Sequence, residues 1–212
     1  MSRVLIADDH AMTRAGFRQF LVDEPGINEI GEAASGNDTL DQLRRSQWDL
    51  LLMDIHMPNR GGLDILKRVV VGYPGVRILI ISGLPEEQYA RNVLRAGASG
   101  YLSKGCPPGE ILEAVRTVLS GRRYISSSLA EAMASELELP RDRPQPSHHH
   151  LTTKEFQIFC KLAAGTAVSN IADELSLSVK TVSTYRNRIL KKMKFTSNAD
   201  MTSYALRSGL IQ

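Results

Sequence analysis

Short apolar segments alternate with amphipathic segments through the first 120 residues. The apolar segments predict five β-strands, at residues 4–7, 27–33, 50–53, 76–81 and 99–102. In the segments that follow these strands, apolar residues recur at the spacing typical of an α-helix. This predicts five helices, near residues 11–23, 37–45, 62–71, 86–96 and 108–119. Strand and helix therefore alternate five times along this part of the chain.

The apolar strands are continuous rather than alternating, which is typical of a sheet covered by helices on both faces. Together with the strict alternation of strand and helix, this predicts an α/β domain with a doubly wound five-stranded parallel sheet at residues 1–121. In such a sheet the carboxyl ends of the strands meet at one edge. Functional residues are therefore expected just after each strand.

A linker is predicted at residues 122–148. Residues 126–139 have helical spacing, and Pro140, Pro144 and Pro146 then stop regular structure. The linker ends near His148, His149 and His150, which have no spaced partner ligand for a metal.

Residues 149–212 show four helical patterns and no strand, which predicts a second, smaller all-α domain. Thr152 or Thr153 opens the first helix and Gly165 closes it, and a second helix covers residues 168–175. Ser178 caps a third helix that extends to about Lys194. The second and third helices, joined by a tight turn, predict a helix-turn-helix.

The composition of the chain limits the class of protein to which it can belong. The chain has 212 residues, of which 42% are hydrophobic and 23% charged, which predicts a soluble globular protein. We expect no membrane segment, no secretory signal and a cytoplasmic location, with Cys106 and Cys160 as reduced thiols.

From residue 151 onward there are 9 Lys or Arg against 4 Asp or Glu, whereas the remainder has 17 against 19. This segregation predicts a polyanionic partner, most plausibly DNA, for the second domain.

Residues with complementary chemistry follow the strands of the first domain. Asp8 and Asp9 follow the first strand, Asp54 the third and Ser82 the fourth, and Lys104 lies just beyond the fifth. Crowded carboxylates stay ionised most easily around a hard divalent cation, which predicts Mg²⁺. Asp54 is the expected nucleophile for a phosphoryl group, with the hydroxyl and the ammonium group as donors to its oxygens.

On the third helix of the second domain, Val182, Ile189, Leu190 and Met193 predict a buried stripe. Polar and basic side chains are expected on the opposite face, a composition suited to the major groove of DNA: Lys180, Ser183, Thr184, Asn187, Arg188 and Lys191.

The first domain resembles a response-regulator receiver domain of the flavodoxin-like fold. The resemblance rests on Asp8-Asp9-His10, on residues 53–58 with Gly62, on Ser82-Gly83 and on residues 100–104. It implies that a histidine kinase phosphorylates Asp54, and that Asp8, Asp9, Asp54 and the backbone carbonyl of His56 bind Mg²⁺. It also implies a phosphate-sensing switch made of Ser82, Tyr101 and Lys104. Gly105 departs from the proline that many receivers have after the lysine.

The second domain resembles the LuxR type, through residues 151–155, Gly165, residues 171–175, residues 178–182 and residues 189–193. This resemblance implies that Ser183, Thr184 and Asn187 read bases. It implies phosphate contacts for Lys180, Thr181, Tyr185, Arg188 and Lys191. A final helix beginning at Asn198 is implied to make a dimer contact on DNA, with internal packing as the open alternative.

The two domains together resemble a transcriptional regulator of the NarL/FixJ type. The implied partners are promoter half-sites, a cognate histidine kinase, a second copy of the chain when active and, as a further candidate, RNA polymerase. We expect that the chain is not an enzyme. A flavodoxin-like protein would bind the phosphate of a flavin after the first strand, where Asp8 and Asp9 would repel it. A phosphohydrolase of the Asp-x-Asp kind needs a second acid two residues after the nucleophile, and His56 occupies that position. A receiver that binds DNA as a dimer without phosphorylation is the stronger alternative.

Overall fold

The structure is a computed structural model that describes residues 1–55, 57, 62–83, 86–138, 148, 151–175, 177–208 and 210–211. The chain divides into two compact units, Met1–Glu138 and Leu139–Gln212. Among the described residues, no helix has both the length and the apolar character needed to cross a membrane.

A five-stranded parallel sheet forms the centre of the first unit, as the sequence predicted. Its strands are β1 (Ser2–Ala7), β2 (Ile27–Ala33), β3 (Leu50–Asp54), β4 (Arg77–Ser82) and β5 (Gly100–Ser103). Their spatial order is β2-β1-β3-β4-β5. The order reverses beside β1, so the carboxyl ends of β1 and β3 border the crevice where doubly wound sheets bind ligands.

Five helices connect and cover the strands, with bounds within two residues of those predicted. They are α1 (Ala11–Leu21), α2 (Gly36–Arg45), α3 (Gly62–Gly72), α4 (Glu86–Arg95) and α5 (Pro108–Leu119). Buried side chains of α1 and α5, such as Phe17 and Val115, pack with Ile6, Leu52 and Ile81 of the sheet. The central strands are therefore inaccessible to water on this face.

The edge strand β2 differs from the predicted pattern of strands buried on both faces. Asn28 and Glu29 are exposed, and Ile27 and Ile30 are only partly buried. The reason is its position, because only β1 pairs with β2. An edge strand does not need the continuous apolar sequence of a central one.

Helix α6 (Ser127–Glu138) follows α5 and belongs to the first compact unit. Its Leu129 is 1% exposed. The structure thus contains the helix predicted inside the linker, whereas the three linker prolines, His149 and His150 lie outside the described residues. The domain limits at residues 121 and 148 stay predictions.

The second unit is helical. Its described helices are α7 (Thr153–Ala163), α8 (Val168–Glu174), α9 (Val179–Met193) and α10 (Asn198–Arg207). Thr152 caps α7 in a capping box with Glu155, and Ser178 caps α9, which confirms both predicted helix starts. The helices enclose a core of Phe156, Phe159, Ile171, Val182, Ile189 and Met201.

Candidate functional site

Three carboxylates meet where β1 and β3 end, and we call Asp8, Asp9 and Asp54 the acidic pocket. Asp54 is the last residue of β3, and Asp8 and Asp9 directly follow β1. The side chains of Asp8 and Asp54 are 3% and 2% exposed, so these two charges are almost entirely removed from water. Burial of this kind requires a compensating cation.

Lys104 provides one such cation. Its Nζ lies 2.8 Å from Oδ2 of Asp8 and 2.8 Å from Oδ2 of Asp54. The backbone amide of Lys104 donates to the carbonyl of Ser82 at 2.8 Å, which fixes the start of this side chain against β4. Burial alone would lower the pKa of Lys104, but the hydrogen bonds and charges of the two aspartates outweigh it and raise the pKa above its usual value. The lysine therefore stays charged.

The acidic pocket also has the ligand set of a hard cation. One ligand atom from each of Asp8, Asp9, His10 and Asp54 lies within 4.8 Å of the others. Within the described part of the chain, Oδ1 of Asp9 is buried without a hydrogen-bond donor of acceptable geometry, although Nδ1 of His10 lies 3.0 Å away. Oxygen donors with unmet charge fit Mg²⁺.

Ser82 and Tyr101 lie together on neighbouring strands beside the pocket. Ser82 is fully buried and Tyr101 is 1% exposed. Their side chains are hydrogen-bonded, and burial raises the pKa of Tyr101 to about 12, so the phenol stays neutral. The side chain of Tyr101 is thus buried and neutral, next to that of Ser82.

His56, the remaining predicted metal ligand, lies outside the described residues. Nearby, Gly62 opens α3 against the backbone that follows Asp54. A Cβ at Gly62 would lie 2.4 Å from the carbonyl oxygen of Ile55, so a side chain there would displace that backbone. The described residues contain no cis peptide bond, including the bond between Lys104 and Gly105.

Sequence reasoning missed two residues that position the acidic pocket. The amide of His10 donates to Oδ1 of Asp8 at 2.8 Å, and the same oxygen lies 3.2 Å from Nδ1 of the ring. Arg14 donates from Nη1 to the backbone carbonyl of Asp8 at 2.8 Å. His10 directly follows Asp8 and Asp9, so its role near them is predictable from the sequence, whereas nothing in the sequence indicates the Arg14 contact.

The helix-turn-helix is formed by α8 and α9, and α9 has one apolar face. Val182, Ile189 and Met193 are buried in the core of the second unit. Leu190 is only partly buried, so the predicted stripe is narrower than expected. Leu190 stands next to Ile189 in a helix, and therefore points about a quarter-turn away from the buried stripe.

The predicted DNA-binding residues of α9 all belong to the described chain, and they lie away from the buried stripe except for Tyr185, which lies beside it. Five are exposed, namely Lys180, Thr184, Asn187, Arg188 and Lys191, and three are partly buried, namely Thr181, Ser183 and Tyr185. The Arg188 guanidinium lies 5.9 Å from the centre of the Tyr185 ring. Thr184 donates its hydroxyl to the carbonyl of Lys180 at 2.9 Å, which leaves its oxygen as an acceptor.

Helix α10 packs internally through Met201 and Ala205, both fully buried, and it contacts α7. Arg186 of α9 donates to Oδ1 of Asn198 at 2.7 Å and so ties α10 to α9. Leu206 is 53% exposed. One side of α10 therefore packs inside the second unit. The predicted dimer contact would use the other, exposed side and stays a prediction.

An ion pair between Glu155, which is buried, and Lys192, whose side chain is 39% exposed, connects α7 to α9 in the second unit. Nζ of Lys192 lies 2.6 Å from Oε2 of Glu155, and Glu155 is 4% exposed. Burial alone would raise the pKa of Glu155, but donors from Lys192 and Thr152 outweigh it and hold the pKa below the usual 4.5. The folded state therefore binds fewer protons than the unfolded state around pH 4.

We expect the Glu155→Gln variant to lose part of the acid sensitivity of the second unit. Because the pKa of Glu155 is lowered by folding, its contribution is fully present above pH 4.5 and disappears as the pH falls below that value. Between pH 7 and pH 3.5 the second unit of the native chain should lose more of its free energy of unfolding than that of the variant. Urea unfolding followed through the methyl NMR signals of Ile171 and Val182 measures this difference. Equal losses in both proteins would contradict it.

Comparison with known proteins agrees with this arrangement. Residues 4–116 match the family model of the response regulator receiver domain. Residues 149–205 match that of the bacterial regulatory proteins of the luxR family. The two matches together cover most of the chain, and each contains one of the two sites described above.

Similar full-length proteins include response regulator UvrY of Escherichia coli (strain K12). It is 37% identical over 210 residues, which are 99% of this chain and 96% of that protein. Response regulator GacA of Pseudomonas aeruginosa is 35% identical over 211 residues, which are 100% of this chain and 98% of that protein.

Among solved structures, RcsB of Salmonella enterica serovar Typhimurium, bound to the promoter rprA in the presence of phosphomimetic BeF₃⁻, has a similar fold. The TM-score is 0.69 at 22% identity, over 96% of this chain and 98% of that chain. A two-component response regulator of the LuxR family from Aurantimonas sp. SI85-9A1 gives a TM-score of 0.60 at 31% identity, over 65% of this chain and 98% of that chain.

Proposed function

Because this chain belongs to the two-component response regulators, transcription factors with a receiver domain and a LuxR-type DNA-binding domain, we propose that phosphorylation of Asp54 controls its binding to promoter DNA. One observation carries the proposal. Asp54 ends a buried strand with its carboxylate 2.8 Å from Nζ of Lys104, beside two further carboxylates. A carboxylate held in this way is positioned to accept a phosphoryl group.

The phosphoryl donor in this proposal is a phosphohistidine of a cognate kinase. One Oδ of Asp54 bonds to phosphorus as the bond from phosphorus to the imidazole nitrogen breaks, and the imidazole takes a proton from water. Lys104 and Ser82 donate to the phosphoryl oxygens. The lysine then exchanges one carboxylate partner for a more highly charged group, which strengthens its interaction.

The acidic pocket is the proposed Mg²⁺ site. Asp8, Asp9 and Asp54, with the backbone carbonyl of His56, are the residues that would hold the ion. Bound Mg²⁺ supplies positive charge that offsets the phosphoryl oxygens. His10 and Arg14 contribute by fixing the carboxylate and the backbone of Asp8.

The DNA-binding part of the proposal assigns two roles on α9. Ser183, Thr184 and Asn187 read base edges. Phosphate contacts come from Lys180, Thr181, Tyr185, Arg188 and Lys191. These roles are supported by burial, because five of the eight side chains are exposed and the other three are only partly buried. Small polar base-reading residues leave much of the affinity to charge.

We further propose that the chain acts as a transcription regulator in the cytoplasm and is not itself an enzyme. Its active form is a homodimer on paired half-sites, and RNA polymerase is a candidate contact. RcsB bound to promoter DNA, which shares this fold, supports the proposed DNA binding by analogy. A phosphohydrolase is disfavoured because His56 occupies the place of the second acid.

Selection of bound fragments from random DNA tests the proposed dimer. We expect the phosphorylated chain to enrich sequences with two-fold symmetry, whose half-site centres lie about 10 base pairs, or one helical turn, apart. Sequencing of the selected pool measures the spacing. Enrichment of a single unpaired site, or of no sequence at all, would contradict the proposed mode of binding.

A further inference from the structure

Asp8 is held both at its backbone and at its side chain. Its amide donates to the carbonyl of Ala33, the last residue of β2, at 3.2 Å, and its carbonyl accepts from Nη1 of Arg14 at 2.8 Å. The amide of His10 donates to Oδ1 at 2.8 Å, and Nζ of Lys104 lies 2.8 Å from Oδ2. Together these contacts fix the direction in which the carboxylate points.

Arg14 connects the backbone of Asp8 to a second charged side chain, that of Glu32. Nε of Arg14 donates to Oε2 of Glu32 at 3.1 Å, while Nη1 of the same guanidinium donates to Asp8. Glu32 stands opposite Ile6 in the pairing of β1 with β2. The Arg14 side chain is 14% exposed and that of Glu32 is 38% exposed. Because the guanidinium is planar and rigid, an acceptor at Nε limits the directions in which Nη1 can point.

The orientation that Arg14 provides and the charge that it carries have opposite effects on a bound cation. Groups that orient the ligands of a metal commonly raise its affinity by roughly 10–100-fold. A positive charge close to the acidic pocket repels a second cation and lowers the affinity. Removal of Arg14 therefore weakens Mg²⁺ binding if orientation dominates and strengthens it if charge dominates.

We propose that Arg14 and Glu32 are positioning residues for Mg²⁺, in which Glu32 acts through Arg14 and Arg14 acts through the backbone of Asp8. The inference rests on the proposed Mg²⁺ site. Glu32 orients the guanidinium, the guanidinium holds the carbonyl of Asp8, and the turn after β1 keeps its carboxylates directed at the pocket. The edge strand β2 thereby takes part in cation binding, although none of the four candidate ligand residues found in the described chain lies on it.

Titration of the full-length chain with Mg²⁺, followed through the amide NMR signal of Lys104, tests the role of Arg14. We expect Arg14→Ala to bind Mg²⁺ about tenfold more weakly than the native chain, although this variant removes a positive charge. The matched control is Arg18→Ala, which removes an equal charge from the same helix. Arg18 lies 3.8 Å from Glu32 but donates to the carbonyl of Ile30 within β2. This control should bind Mg²⁺ at least as tightly as the native chain.

Two substitutions of Glu32 separate orientation from charge on the other side of the pair. Both Glu32→Ala and Glu32→Gln remove a negative charge, but the glutamine keeps an oxygen that can accept from Nε of Arg14. Glu32→Ala should weaken Mg²⁺ binding about fivefold, whereas Glu32→Gln should stay close to the native affinity. Because Glu32 acts through Arg14, adding Glu32→Ala to Arg14→Ala should cause no further loss.

Hydrogen exchange of the metal-free chain gives a readout that does not depend on the ion. The amide of His10 donates to Oδ1 of Asp8 and therefore reports on the order of this turn. It should exchange faster in Arg14→Ala than in the native chain and at the native rate in Arg18→Ala. An unchanged rate in Arg14→Ala would show that the guanidinium does not hold the turn, and would overturn the inference.

The variant Asp9→Asn distinguishes this inference from the Mg²⁺ site on which it rests. It removes a proposed ligand and should lose most of the Mg²⁺ affinity. If it does so while Arg14→Ala binds Mg²⁺ as tightly as the native chain or more tightly, the inference is wrong and the proposed site stands. Equal weakening in Glu32→Ala and Glu32→Gln would also overturn the inference. Native affinity in Asp9→Asn, or a native chain that does not respond to Mg²⁺, would contradict the site and the inference together.

Discussion

Replacement of Asp54 by asparagine should abolish the transfer of a phosphoryl group from a small phosphodonor to this chain. An amide oxygen is a poor nucleophile, and the variant also removes one of the three charges of the acidic pocket. Incubation with the phosphodonor and Mg²⁺, followed by intact-protein mass spectrometry, measures the labelled fraction. The native chain should gain one phosphoryl group, and Asp54→Asn should gain none.

The matched control is Asp41→Asn, which removes an exposed carboxylate of α2 that pairs only locally with Arg44 among the described contacts. It should label as the native chain does. Labelling of Asp54→Asn to the native extent would contradict the assignment of the phosphorylated residue. Loss of labelling in Asp41→Asn as well would show that the assay does not report on the acidic pocket.

Removal of three basic side chains from α9 should weaken binding to all DNA sequences. Lys180, Arg188 and Lys191 are exposed on the face of α9 opposite its buried stripe. If each contacts one phosphate, the triple alanine variant should lose affinity by a factor on the order of 100 at low salt. The slope of log affinity against log salt should become shallower by about 2.7. Fluorescence anisotropy over a range of salt concentrations measures both quantities.

Two single variants make this prediction specific. Asn187→Ala should change the preference among DNA sequences and leave the salt slope unaltered, because base contacts specify while phosphate contacts position. Lys67→Ala, which removes an exposed charge of α3 in the first unit, should change neither. An equal loss of affinity for every sequence in Asn187→Ala would remove the proposed base-reading role.

The sequence predicted the fold and the position of the acidic pocket because both depend on local patterns. Apolar segments and capping residues mark the strands and helices, and the geometry of a parallel sheet then brings the ends of β1 and β3 together. For this reason the carboxylates of Asp8, Asp9 and Asp54 lie close together. Lys104 forms ion pairs with two of them, Asp8 and Asp54.

The contacts that the sequence did not predict join groups whose separation along the chain has no regular period. Arg14 reaches the carbonyl of Asp8, and Glu86 reaches Ser126 forty residues later. Such pairs depend on how elements pack in three dimensions. The exposure of β2 was missed for a related reason, because the edge position of a strand is set by topology rather than by its own residues.

The affinity for promoter DNA before and after phosphorylation tests the central claim most directly. A shift from 1% to 99% of the active form requires about 5.5 kcal/mol of differential stabilisation, so even a partial shift gives a large change in affinity. Titration of a selected half-site pair, with and without phosphodonor and Mg²⁺, should show at least about tenfold tighter binding by the phosphorylated native chain and no change for Asp54→Asn. Equal affinity of the phosphorylated and unphosphorylated native chain would contradict the account and favour a dimer that binds DNA without phosphorylation.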